Sequence, residues 1–365
     1  MKTVSWAAMA TALMIAAPTA PIWAQQPAGA EQPGNADARL KALYDAEWDW
    51  RLKEEALLPN EDGRPIASDH FERVDAASQQ RRLDYYTKVL AELSRIPRDQ
   101  LSAEEQVNAE VFETMVEGFV ADLRYKLYEA PFNADTFFWT SFTPRTGLED
   151  ADAYRRYLGR LKDVPRYFDE HIANMRAGLK RGFTVPKVAA TGRDKTIEPY
   201  LAADETNPLF KPFTQMPDSI PAAEQERLRV EAAAVIASQT VPAYTELLAF
   251  LREDYIPNAR TNIGASSLPN GPAYYQAMIE KFTTLDLTAE QIHQIGLGEV
   301  ARIKAEMEAT KQEAGFDGTL AEFMHFLRTD PQFYAKTPHE LLADAAYWVK
   351  KADLKLKDTI GFLPR

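Results

Sequence analysis

Cysteine is absent from the whole 365-residue chain. That excludes disulfides, a catalytic thiol, cysteine-held iron–sulfur clusters and lipid carried on a cysteine. Any metal would fall to the five histidines and to carboxylates. No histidine has a second one four positions on: His70, His171, His293, His325 and His339 are followed there by Val74, Met175, Leu297, Thr329 and Ala343. The two-imidazole helical face of an H-E-x-x-H zinc site is therefore missing. His339-Glu340 begins that pattern and fails at Ala343.

Other absences narrow the chemistry further. There is no Gly-x-Ser-x-Gly elbow, and Gly264-Ala-Ser-Ser-Leu268 lacks the strand that would have to precede one. Neither a phosphate loop nor a dinucleotide fingerprint occurs. Basic runs do not exceed a pair such as Lys350-Lys351, and the formal net charge is −12, so nucleic acid is a poor partner. No run of alternating apolar and polar residues is long enough to found a sheet, and no fixed-period repeat is present.

What is present begins with an export signal. Lys2 is the only charge before Glu31, an apolar run extends from Val4 to Ala17, and Pro18 and Pro21 interrupt it ahead of Ala24. This predicts a signal peptide over 1–24, cleaved to leave Gln25, and a periplasmic or secreted protein. An uncleaved anchor is the alternative. Residues 25–36 hold no large apolar side chain and read as a flexible leader. No second apolar stretch is expected to span a membrane.

From residue 37 onward the apolar spacing is helical, and the predicted fold class is all-α, one helical domain over 37–365. Leu40, Tyr44, Trp48, Leu52 and Ala56 line one face of a first helix, and Leu83, Tyr86, Leu90 and Leu93 line a second that Pro97 ends. Ser102 with Glu105 predicts a helix start, as do Thr288 with Gln291 and Thr337-Pro338 with Glu340. The helix after Thr288 should bury Ile292, Gly296, Val300, Ile303 and Met307. Proline-rich connections occupy 129–149, 182–221 and 256–272, and Phe183–Ala190 leaves room for a minor hairpin.

Two patterns could carry chemistry. Glu290-x-x-His293 and Glu322-x-x-His325 match the step used by di-iron bundles, but both glutamates sit in first turns, where a cap or the helix dipole explains them. Phe137, Phe138, Trp139 and Phe142 could line a cleft, although a core is the better reading. In Leu268-Pro269-Asn270-Gly271-Pro272, proline and glycine set a turn just ahead of a helix. That places Asn270, Tyr274 and Tyr275 as candidate substrate-binding residues. No residue is assigned as catalytic and none as a metal ligand.

The chain resembles the bacterial family of exported proteins known as domain of unknown function 885. The likeness lies in Asp150-Ala-Asp-Ala-Tyr154 through Gly182-Phe-Thr-Val-Pro186, in Leu268–Met307, and in Glu340-Leu-Leu through Phe362-Leu-Pro-Arg365. The resemblance implies a helical, gluzincin-like zinc peptidase acting on peptides, with an H-E-x-x-P-G-H motif in a C-terminal half. None of those ligands has a counterpart here. The chain is thus expected to be a truncated N-terminal portion, inactive alone, holding no cofactor itself while zinc is implied for a full-length relative. Its expected partner is a C-terminal half carrying the motif. A stand-alone helical binding or scaffold protein is the alternative.

Overall fold

The computed structural model describes residues 35–60, 63–144 and 147–361. The expected signal peptide, the leader up to residue 34 and Phe362–Arg365 lie outside the described residues. Helix accounts for 69% of the structure and strand for 1%, so the fold is all-α. Where one helical domain was expected over 37–365, the described residues form two compact units that divide after Leu285.

In the first unit, α1 (Asn35–Glu54), α2 (Ala76–Leu93) and α3 (Ala103–Arg124) share a core built on Leu40, Val89, Leu93, Phe112 and Val116. Local chemistry sets their limits. The Asp75 carboxylate accepts from the amides of Ala77 and Ser78, and the Ser102 hydroxyl accepts from that of Glu105. Trp48, expected on the buried face of α1, is 42% exposed. Ala56 lies past the helix end at φ 52°. There the chain turns into a two-stranded antiparallel hairpin, β1 (Leu57–Leu58) and β2 (Ile66–Ala67), pairing Leu57 with Ala67 and Leu58 with Ile66. The minor hairpin thus forms here, and the segment expected to hold it is extended and then makes a helical turn at Lys187–Ala190.

A second core lies between α4 (Ala151–Arg181) and α5 (Ala222–Asn258). Helix α5 is 37 residues long, with π-helical stretches at Ile236–Thr240 and Phe250–Tyr255. By length and composition it could cross a membrane, contrary to the expectation that no second stretch would qualify. Its apolar side chains are nevertheless spent on the core: Leu228, Val235, Tyr244, Leu247 and Leu251 are buried there. The Phe137–Phe142 aromatics join the same core, as read from sequence. The indole of Trp139 is fully buried and donates to the Thr196 hydroxyl at 2.9 Å. Helix α6 (Gly271–Thr283) then packs against α3.

In the second unit, α7 (Ala289–Glu313) and α8 (Leu320–Thr329) form a helical pair followed by α9 (Pro338–Asp353). Capping boxes at Thr288/Gln291 and Thr319/Glu322 start the first two. At α9 the Thr337 hydroxyl accepts from the Glu340 amide, while the Glu340 carboxylate accepts from the Lys336 amide. Among the described residues of this unit only Phe323 and the stem of Lys311 are buried. None of the face expected to be buried on α7 is fully buried: Gly296, Val300 (52%) and Ile303 (44%) are exposed, and Ile292 and Met307 are half-buried. Periodicity reveals an apolar stripe but not what covers it.

Candidate functional site

A polar stripe on α4 organises the first unit's cleft. Asp163, Arg166, Glu170 and Asn174 recur at steps of three and four, so they share a helical face. Against this face the extended segment Phe71–Val74 is pinned through its backbone. The Phe71 amide donates to Asp163 (2.8 Å) and the Val74 amide to Glu170 (2.8 Å). The Val74 carbonyl accepts from Asn174 (2.7 Å), and the Phe71 carbonyl from Arg166 (2.9 Å). The approach is close: a Cβ on Gly159 would lie 2.5 Å from the Asp69 carbonyl oxygen.

This pinning opens a cavity of about 460 Å³ between α4 and the helices of the first core. Glu54, Glu55 and Leu57 line it from the end of α1 and from β1, and Glu72 from the pinned segment. Arg82 and Tyr86 come from one face of α2, Phe119, Asp122 and Leu123 from one face of α3, and Arg160 from α4.

Most of its charges are engaged. Arg82 pairs with the Glu54 carboxylate at 3.1 Å and donates to the Arg73 carbonyl at 2.8 Å, tying α1 to α2. Glu72 accepts from the Tyr167 hydroxyl at 3.2 Å, and Asp122 pairs with Lys281 at 2.5 Å. Burial pushes the Tyr86 and Tyr167 hydroxyls well above their ordinary range, so both stay neutral donors. Burial also raises the Glu55 carboxyl, against the pull of Arg51. Arg160 lies over the Phe71 ring, 4.2 Å from its centroid, and desolvation lowers its pKa from the usual guanidinium range. Chemically the cleft offers hydrogen-bond donors and charges of both signs, and no nucleophile–base pair.

None of the sequence candidates lines this cavity. Asn270 takes a left-handed conformation at φ 54° ahead of α6 and is exposed. The turn needs Gly271, where a Cβ would fall 2.3 Å from the Ala265 carbonyl oxygen. Tyr274 is half-buried, edge-on to Tyr125 and Phe183, and burial, with the Asp122 charge behind it, raises its hydroxyl above the ordinary tyrosine range. Tyr275 is 45% exposed. Sequence reading missed Arg160, Glu55 and Glu72. The spacing of the polar stripe on α4 was visible in the sequence, but periodicity does not separate a polar face turned to a partner segment from one turned to water.

The Glu-x-x-His pairs do not come together. Glu322 is spent on the Thr319 amide (2.7 Å) and hydroxyl (2.8 Å) and lies near Lys311. Glu290 stands at the opposite end of α7 from Lys311, about 30 Å away at 1.5 Å rise per residue. Its carboxylate accepts from Gln294. Among the described residues no group of three or more His, Cys, Asp or Glu is placed to hold a metal ion. The residues described do not fit the zinc that the resemblance implies.

A family model described as bacterial protein of unknown function, DUF885, matches residues 60–365. The chain belongs to that family. No curated protein matches it. Among solved structures it is similar to "the putative lipoprotein from Colwellia psychrerythraea", with a TM-score of 0.74 at 20% identity. The match covers 90% of this chain and 60% of that one, so this chain spans less than two thirds of its neighbour's length. At that identity the likeness is one of fold.

Proposed function

We propose that this chain is the substrate-cleft portion of an exported, gluzincin-like peptidase, with α7–α9 as its docking surface for further polypeptide. The observation that carries the reading is the second unit's unspent apolar surface. Leu341, Leu342, Tyr347, Trp348 and Val349 on α9 are all exposed, Trp348 at 63%, while Phe323 is the buried apolar residue among those described. Contiguous exposed apolar surface of this kind marks an interface. The longer chain of the Colwellia neighbour is consistent with more polypeptide in this family. Peptide is the substrate class implied by the resemblance, and the cleft's mixed charges suit it. Zinc and its ligands would come from the additional polypeptide, since this chain's described carboxylates and imidazoles are spent on caps or scattered.

A stand-alone binding protein is the second reading, favoured by the first unit's possession of two cores and the cleft. Co-expression with a polypeptide carrying H-E-x-x-P-G-H separates the two. The peptidase reading expects a stable complex, slowed amide exchange in α7 and α9, one zinc per complex and peptide hydrolysis. Failure to associate, or stoichiometric zinc with hydrolysis by this chain alone, overturns it.

A further inference from the structure

Two charged groups that line the first unit's cleft have charged neighbours but make no side-chain hydrogen bond or close ion pair among the described residues. The Arg160 guanidinium makes no hydrogen bond or ion pair to any described residue, although it lines the cavity with its central carbon 4.2 Å from the Phe71 ring centroid. Phe71 is itself stacked on Tyr167, with ring centroids 4.5 Å apart, so the guanidinium rests on a two-ring platform. A cation–ring contact of this kind holds the side chain in place while its N–H groups stay available, and a guanidinium so held can receive a carboxylate through two parallel bonds. The Glu55 carboxylate, on a different element just beyond α1, likewise accepts no hydrogen bond and forms no ion pair with a described residue. Every other charge lining the cavity is paired or bonded: Glu54 with Arg82, Asp122 with Lys281, and Glu72 with the Tyr167 hydroxyl.

Arg160 is half-buried and none of its nitrogens is both buried and unpartnered, so they reach the open cleft, where a ligand carboxylate can replace water as the acceptor. The cavity's volume, about 460 Å³, lies within the ordinary range for small-ligand sites, about 300–1,000 Å³. Leu57, Tyr86, Phe119 and Leu123 give it apolar walls beside the two charges.

We propose that this cleft binds a short zwitterionic peptide, its carboxylate on Arg160 and its ammonium group on Glu55. The proposal rests on the peptide-binding reading above and adds to it the requirement for free ends. Arg160 holds the carboxylate through its fork, Phe71 holds the Arg160 side chain in place, and Glu55 selects a peptide whose amine is unblocked.

Titration calorimetry of the full chain with tetra-alanine, its C-terminal amide and its N-acetyl form tests this. Tetra-alanine should bind most tightly, the amide at least tenfold more weakly, and the acetylated form several-fold more weakly, the size expected for losing a charge-assisted hydrogen bond. Arg160→Lys, which keeps charge but not the fork, should lose most of the acid-over-amide preference. Glu55→Gln should lose only the preference for a free amine. Urea midpoints equal to wild type for both variants separate binding from folding. Equal affinity for acid and amide overturns the Arg160 assignment while leaving a peptide cleft standing. An absence of binding by all three probes overturns both readings.

Discussion

The Thr240 hydroxyl donates to the Leu161 carbonyl at 3.2 Å. That carbonyl belongs to the residue four before Pro165, which sits inside α4 and has no amide to give it. Thr240 is fully buried in the first π-helical stretch of α5, so one helix repairs the defect of another. Thr240→Val keeps the shape and strands the carbonyl, and should cost about 1–3 kcal/mol. The cost should shrink in a Pro165→Ala background, where the helix regains its own donor. Chemical denaturation of the four proteins measures it, and an equal cost in both backgrounds refutes the repair.

His171 predicts an acid-sensitive fold. Its ring stacks on Phe138 with centroids 3.9 Å apart, and neither nitrogen has a hydrogen-bond partner. Burial, and then the Arg166 cation, lowers its pKa to about 3. The folded state therefore favours the neutral ring, and protonation favours the unfolded chain. Its effect is absent above the ordinary value near 6.5 and destabilises as pH falls from there toward 3, by about 1.4 kcal/mol per unit. His171→Phe should raise stability at pH 7 by about 1 kcal/mol, removing two unpaired nitrogens, and should flatten the acid limb between pH 6 and 4. Parallel acid limbs for the two proteins would contradict this.

Gly159→Ala should strain the seat of the cleft. The new Cβ would meet the Asp69 backbone at 2.5 Å, so the pinned segment or α4 has to shift. A loss of about 1–3 kcal/mol is expected. Because Arg160 is the next residue, tetra-alanine affinity should fall as well. A variant of unchanged stability and affinity would show that the segment yields freely.

Thr319→Ala removes the hydroxyl that accepts from the Glu322 amide at 3.3 Å, at an expected cost of about 1 kcal/mol. The loss should be confined to the second unit, read as faster amide exchange in α8 with α1–α5 unchanged. Faster exchange in α4 would contradict two separately ordered units.

The helix limits were legible because their causes are local. α2 stops at Leu93, a turn ahead of Pro97, and Ser102, Thr288, Thr319 and Thr337 each act on an amide three residues ahead. The turn at Asn270–Gly271 was legible for the same reason. The cleft was not. Phe71 and Asp163 are 92 positions apart and Val74 and Asn174 are 100, so no window of sequence contains the pinning that seats the Phe71–Val74 segment on α4.

By itself the sequence determined an all-α chain, its caps and stops, and a family whose likeness is spread along its length. Those depend on contacts within a few residues and on side-chain type. Tertiary structure alone decided that Pro165 could remain in a continuous helix, that the hairpin forms at Leu57–Ala67, and that the apolar stripe of α7 is nowhere fully buried. It also decided which charges are spent and which are free. Each depends on what a distant segment does with an otherwise unpaired group, and helical periodicity carries no record of that partner.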